Sequence, residues 1–243
     1  MKFSYNWLKE YIPTLPPPEK VAALLTVHSF EVEGFEKKGA DTVFSIDVLP
    51  NRIADASGHR GVAGELGAIL KKPLKIPNRR PKETARADKK LIRIDVRDKQ
   101  GCPRYTVRVV TNVRVGDTPQ WMQDRLAVCG INSINNIVDT ANYVMLDMVQ
   151  PLHAFDADKI VGGITVRRAK TRENIVTLDG AAYALNEDDL VIADDAGVLA
   201  IAGIKGGKRA EVTRDTKNII LESANFTPEL IERTAKKINL LTD

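Results

Sequence analysis

Four short stretches of the chain carry side chains that could do chemistry. His153 lies in Gln150-Pro151-Leu152-His153-Ala154-Phe155-Asp156, where an imidazole could serve as a general acid or base. A histidine between Leu and Ala beside an aromatic is more often a packed residue, and the local pattern does not separate the two. Glu222 follows Asn218-Ile219-Ile220-Leu221 and precedes Ser223-Ala224. It reads as an acid at the end of an apolar strand, which either meets solvent or points into a cleft. Ala202-Gly203-Ile204-Lys205-Gly206-Gly207 is glycine-rich after an apolar run. It is neither a Walker A loop, because Lys208 is followed by Arg209, nor a GxGxxG turn. Its bare backbone could face a ligand or a neighbouring strand. In Val138-Asp139-Thr140-Ala141-Asn142-Tyr143-Val144-Met145, helical spacing puts Asp139, Asn142 and Met145 on one face, with Asp139 or Thr140 expected as the N-cap.

Composition narrows the classes. The 243 residues are 43% hydrophobic and 28% charged, enough for one large domain and a smaller one. Aromatics are only 5%, which argues against a broad base-stacking surface. Cys102 and Cys129 show no CxxC spacing, and with His28, His59 and His153 they make no zinc signature, so no metal site is expected and both thiols are read as reduced. No apolar run reaches the roughly 18 residues of a membrane span. Met1-Lys2-Phe3-Ser4-Tyr5-Asn6-Trp7 runs straight into Lys9 and Glu10 with no signal-peptide core, so a cytoplasmic location is expected. A net charge of +4 and a pI near 9.0 suit a polyanionic partner without requiring one.

The elements that must position these residues read as α+β. Ser4 can cap a short helix carrying Trp7, Leu8 and Tyr11, and Pro16-Pro17-Pro18 leads into a second. Residues 30–35 and 43–48 alternate like strands around a polar turn, Glu36 to Thr42. Ser57 could cap a helix from about Arg60 to Leu70. Residues 71–90 hold three prolines and nine basic residues against two acidic ones; they read as a linker in which Arg79 and Arg80 could touch phosphates. That divides the chain into a small unit, 1–70, the linker, 71–90, and a larger mixed α+β domain, 91–243. In the larger part, Tyr105, Val107 and Val109 alternate like a strand, Thr118-Pro119 opens a helix, and Ile137 to Met148 is a second helix. Short strands are expected at 164–168, 175–178, 190–193, 198–201 and 219–221, and Pro228 opens a last helix.

The order and wording of these stretches resemble the amino-terminal part of bacterial-type phenylalanyl-tRNA synthetase beta subunits. The resemblance rests on Met1-Lys2-Phe3-Ser4 with Trp7-Leu8, on Ser45 to Arg52, on Gly58 to Leu66, and on VDTANYVMLDMVQPLHAFD (138–156). It extends through the Leu178-Asp179-Gly180 turn, the AGIKGG loop (202–207) and NIILESANF (218–226), covering nearly the whole chain. The family's OB-fold insertion is expected where Glu36 to Thr42 stands; about seven residues cannot hold five strands, so it is absent here. Members of the family also continue past Leu240-Leu241-Thr242-Asp243 into further domains.

The resemblance implies an aminoacyl-tRNA editing function, the hydrolysis of Tyr-tRNA(Phe), within a phenylalanine-tRNA ligase. It implies that Glu222 accepts the tyrosine phenol and that His153 and Asn142 lie near the ester and the terminal adenosine. Gly203 would form a backbone wall, and Ala141 would line the substrate site. Hydrolysis would use a positioned water, with or without help from the tRNA's own ribose hydroxyl. The implied partners are tRNA(Phe) and the alpha subunit. No cofactor is expected on this chain, ATP and Mg belonging to the alpha subunit's synthetic site. Ala141 stands where many relatives have threonine, Val149 where glycine is common, and Lys205 where the loop is usually apolar. The competing implication is a non-catalytic tRNA-binding or subunit-assembly module that has lost editing.

Overall fold

The computed structural model describes residues 1–76 and 92–240. The basic stretch from 77 to 90, with Arg79 and Arg80, lies outside them. The described residues form two compact units, each assembled from two segments of chain. The first takes 1–76 with Asp117–Pro151, the second 92–116 with 152–240. The expected division kept residues 117–151 with the second domain; they pack in the first unit instead.

The first unit opens with β1 (Lys2–Ser4) and α1 (Tyr5–Tyr11), followed by α2 (Pro18–His28), β2 (Val32–Lys38) and β3 (Asp41–Ile46). It continues with α3 (Ile53–Ala56), α4 (His59–Leu70), α5 (Gln120–Val128) and α6 (Asn136–Met148). The Ser4 side chain accepts from the Trp7 N–H at 3.0 Å, the expected cap of α1, and Pro18 opens α2. The three strands form one antiparallel sheet in the order β1-β3-β2. Lys38 pairs with Asp41, so the connection where an insertion was expected is a two-residue turn, with Gly39 at φ +60°.

Two expected caps are replaced. Ser57 turns back to the Ile53 carbonyl at 2.7 Å, and Gly58 begins α4. Asn135, not Asp139 or Thr140, caps α6, its side chain accepting from Ile137 and Val138 N–H at 3.0 Å. Asp139 is fully buried and instead receives Thr118 Oγ1, Ser133 Oγ and the Ile134 N–H, fixing the loop that enters α6.

The segment 117–151 is joined to the amino-terminal elements by an aromatic stack. Trp7 lies between His59 (centroids 3.9 Å) and Tyr143 (4.4 Å), and the Arg125 guanidinium donates to Tyr143 Oη at 2.8 Å while pairing with Glu10. His59 is buried and fully used. Its Nε2 accepts the Ser4 N–H at 2.9 Å and its Nδ1–H donates to the Leu146 carbonyl at 2.9 Å. That pattern requires the neutral ring, and burial lowers its pKa to about 4.

The second unit contains β4 (Ile94–Val96), β5 (Arg104–Val110), β6 (His153–Asp156), β7 (Ile164–Arg168), β8 (Asn174–Val176) and β9 (Ala182–Ala184). The strands β10 (Leu190–Asp194), β11 (Gly197–Ile201), β12 (Lys205–Gly206) and β13 (Ile219–Asn225), and the helix α7 (Pro228–Lys237), complete it. A five-stranded sheet runs β12-β11-β10-β7-β4, antiparallel except for the β4–β7 pair. A three-stranded antiparallel sheet runs β5-β13-β6, and β8 and β9 form a hairpin. One core holds Ile164, Val166, Ile192 and Leu199 of the larger sheet with Phe155 and Ile220 of the smaller, so the sheets pack face to face. The α+β class expected from the pattern is the class observed.

Two predictions follow from the first unit. Val149 terminates α6 in the left-handed region at φ 67°, where a β-branched residue is strained and glycine is not. Val149→Gly is expected to raise unfolding stability by about 1 kcal/mol in urea denaturation; a loss of stability would contradict the strain argument. For His59, the unfolded chain takes up a proton near pH 6.5 while the folded chain resists until about 4. Its contribution is therefore present above pH 6.5 and is lost as pH falls from there to 4, by about 3 kcal/mol. Urea midpoints measured across that range should show the fall, and it should shrink in His59→Gln.

Candidate functional site

The site is built on β13, the middle strand of the smaller sheet. Glu222 lies opposite Val107 of β5 and His153 of β6. Residues opposite one another across a ladder share a face. One face therefore carries Tyr105, Val107 and Val109, then Ala224, Glu222 and Ile220, then His153 and Phe155. This is the face that enters the core. Glu222 is not at a strand end, as expected, because β13 continues through Ser223 and Ala224 to Asn225.

The surroundings of Glu222 are unusual for a carboxyl group. The residue is only 6% exposed, and its Oε2 has no hydrogen-bond partner. Burial pushes its pKa up to about 8, partly opposed by the Tyr105 phenol that faces it. No hydrogen bond of ordinary geometry joins the two, and Tyr105 Oη is likewise buried without a partner. Cys102, also buried nearby, donates weakly to the Arg104 carbonyl, and burial raises its thiol to about 11. An uncompensated carboxyl inside an apolar face is costly, so this sheet retains a feature that packing alone does not favour.

His153 faces Glu222 across the ladder. Its ring meets Phe155 edge-on at 4.5 Å, and burial lowers its pKa to about 4, although part of the residue reaches solvent. It is neutral at physiological pH, with its ring nitrogens uncommitted to other side chains. The ring lies against Gly206: a Cβ built there would stand 2.6 Å from His153 Cε1 and 2.9 Å from Nε2. Glycine is thus required at 206 for the imidazole to occupy its place. The loop is held from its other side. Leu178 N–H donates to the Gly206 carbonyl at 3.1 Å, and Gly207 N–H to Leu199 at 2.7 Å. Lys205, the departure from an apolar pattern, has a partner in Asp179 of the Leu178-Asp179-Gly180 turn at 2.5 Å.

The remaining expected residues are carried by other elements. Gly203 has φ +67°, and a Cβ there would meet Phe226 at 3.1 Å and Ile231 at 3.2 Å. Its bare backbone admits the start of α7, and the glycine beside the imidazole is Gly206. Asn142 and Ala141 lie on α6 of the first unit, Ala141 buried and Asn142 half-buried. The structure thus brings Glu222 and His153 together, with Gly206 and Tyr105 as additions. Tyr105 had a sequence signal: it shares the alternation of Val107 and Val109, and a phenol on an apolar face needs a partner.

The B3/4 domain family matches residues 101–243, more than half of the chain. The chain belongs to that family. It is 43% identical over 203 residues to the "Phenylalanine--tRNA ligase beta subunit" of Fusobacterium nucleatum, covering 84% of this chain and 25% of the relative. It is 39% identical over 241 residues to the protein of the same name from Rhodopirellula baltica, covering 99% of this chain and 35% of the relative. The chain spans about a quarter to a third of the length of these relatives. In fold it is similar to an N-terminal fragment of the phenylalanyl-tRNA synthetase beta subunit from Pyrococcus horikoshii, with a TM-score of 0.51 and 17% identity over 98% of this chain and 73% of that one. No helix among the described residues is long and apolar enough to cross a membrane.

The buried carboxyl of this B3/4 domain has a stability signature. The folded state holds the Glu222 proton more tightly than the unfolded chain, whose carboxyl releases it near pH 4.5. Stability should therefore fall as pH rises from 4.5 through about 8, by up to roughly 5 kcal/mol. Glu222→Gln should remove that fall, so its melting temperature should exceed the parent's increasingly between pH 5 and 9. A constant offset across that range would show that Glu222 does not titrate as described.

Proposed function

We propose that the second unit hydrolyses tyrosine from Tyr-tRNA(Phe), as part of a phenylalanine-tRNA ligase beta subunit. The observation that carries this reading is the carboxyl of Glu222, buried on an apolar sheet face opposite a neutral His153 with its Oε2 lacking a hydrogen-bond partner. An apolar phenylalanine pocket rejects an added hydroxyl only about a hundredfold. A second site that rewards the hydroxyl corrects the error. A phenol donating to Glu222 would satisfy the orphan oxygen, whereas a phenylalanine ring would leave it bare, so the preference is inverted.

In this reading the tyrosine phenol reaches Glu222 and its ester is directed to His153, the member of the pair that reaches solvent. The imidazole is neutral at pH 7, so it can accept a hydrogen bond from a water or take its proton. Gly206 leaves room for the ring, and Lys205 with Asp179 ties the loop to the adjacent turn. Asn142, expected near the ester and adenosine, and Ala141, expected to line the substrate site, lie on α6 of the first unit, and the roles argued here rest on Glu222 and His153. The proposed partners are tRNA(Phe) and an alpha subunit. ATP and Mg would serve the alpha subunit's synthetic site and take no part in hydrolysis.

The competing reading, a tRNA- or subunit-binding module without hydrolysis, draws on Ala141, whose buried methyl carries no hydroxyl. Purified protein, alone and with the alpha subunit, should deacylate Tyr-tRNA(Phe) well ahead of Phe-tRNA(Phe). With its pKa near 8, Glu222 meets the phenol mainly as a neutral acid; a neutral hydrogen bond contributes about 0.5–1.5 kcal/mol, so Glu222→Ala should reduce that preference by roughly two- to tenfold. Equal, background-level hydrolysis of both esters under both conditions would overturn the editing reading, and RNA binding unaffected by Glu222→Ala would then favour the competing one.

A further inference from the structure

Glu222 is not the only polar group left open on its sheet face. Tyr105 comes from β5, where it pairs with Ala224, one step along the same face from the Glu222–Val107 pair. Side chains in that diagonal relation reach one another when they are long. The Tyr105 hydroxyl accordingly faces the Glu222 carboxyl. Their contact lowers the Glu222 pKa as a hydrogen bond does, but it lacks ordinary hydrogen-bond geometry, and by that measure Tyr105 Oη and Glu222 Oε2 are the buried side-chain atoms without a partner among the described residues. Two buried polar atoms side by side, both unsatisfied, are rare enough in folded proteins to call for an explanation.

Their chemistry is complementary to one kind of group. A phenol hydroxyl both donates one hydrogen bond and accepts another. Tyr105 can donate, and the carboxyl of Glu222 can accept. We propose that Tyr105 is a specificity-determining residue of the editing site, donating its hydroxyl to the phenolic oxygen of the tyrosyl ester while that phenol donates to Glu222. This rests on the hydrolytic reading of the site given above and extends it from a one-point to a two-point test for the substrate hydroxyl. A phenylalanyl ester would leave both Tyr105 and Glu222 unpaired. The second contact explains why a tyrosine occupies this position of β5. The remaining inward residues of the strand, Val107 and Val109, are aliphatic, and a phenylalanine would fill the same volume without burying an orphan hydroxyl.

Tyr105→Phe tests the inference because it removes only that hydroxyl. Deacylation of Tyr-tRNA(Phe) and Phe-tRNA(Phe) would be followed in the protein and this variant. The expected result is a rise of about tenfold in KM for the tyrosyl ester, the size of one neutral hydrogen bond, with kcat for that ester and the rate on the phenylalanyl ester unchanged. The free variant should melt no lower than its parent, since the deleted hydroxyl made no hydrogen bond of ordinary geometry. A purely structural role predicts the opposite: a lower melting temperature and an unaltered ratio of the two esters. If Tyr105→Phe does not fold, 3-fluorotyrosine at position 105 serves instead. It keeps ring and hydroxyl, strengthens the donor, and should lower KM for the tyrosyl ester; an unchanged KM overturns the inference. Should the parent protein fail to distinguish the two esters, the editing reading itself falls. Should the parent distinguish them and Tyr105→Phe retain the full ratio, only the role of Tyr105 falls.

Discussion

A carboxyl group with one oxygen lacking a hydrogen-bond partner, buried on the middle strand of a three-stranded sheet, sets the terms for the second unit. Because β13 has a neighbour on each side, its backbone is committed to the ladders with β5 and β6 and has little left to offer the Glu222 side chain. Hydrophobic contacts with the larger sheet cover the face on which it lies. The carboxyl can be tolerated there only by keeping its proton or by waiting for a donor from outside. Its raised pKa meets the first condition, and the surrounding details suit the second. The glycine at 206 makes space for an imidazole, the imidazole stays neutral, and a phenol stands beside the acid without closing on it.

The two buried histidines show how similar electrostatics can serve different ends. Both His59 and His153 are held neutral by burial, and both rest against aromatic rings. The ring of His59 uses both nitrogens within the protein, one on Ser4 and one on Leu146, and joins segments distant in sequence. It is a structural joint with no capacity left. His153 packs on a glycine, faces a carboxyl and leaves its nitrogens open. Burial and pKa alone would rank the two together; satisfaction of the ring nitrogens separates them.

Much of the local structure was legible in the sequence, and the reason is short range. Ser4 as a cap, Pro18 as a helix start, and the strands of β7, β10 and β11 depend on neighbours a few positions away. The assignments that changed depend on distant partners. Asp139 looked like a cap because helices favour acids in their first turn, but buried hydroxyls on Thr118 and Ser133 claim it, and Asn135 caps in its place. Residues 117–151 seemed to follow the basic linker into the second domain; the stack of Trp7 with Tyr143 and the Arg125–Glu10 pair hold them in the first unit. Glu222 and His153 were recognisable as candidates, whereas their pairing across a ladder was not. The place of Gly206 beside the imidazole was not legible either, because a glycine-rich run does not say which of its members faces a side chain.

The division of each unit between two stretches of chain also bears on how the protein is made. Thr106 of β5 donates to the Ser223 carbonyl of β13, 117 positions later in the sequence. At ribosomal rates of about 5–20 residues per second, β5 is synthesised on the order of ten seconds before the strand that completes it. During that interval its apolar face, Tyr105 with Val107 and Val109, has no cover. The alternate positions are Arg104, Thr106 and Arg108, exposed in the finished fold. Two cationic side chains on a waiting strand oppose its pairing with a neighbouring nascent chain. The two faces of β5 thus differ in what they ask of the growing polypeptide: the inward one needs a cover that is made last, and the outward one carries the charges that discourage a wrong one.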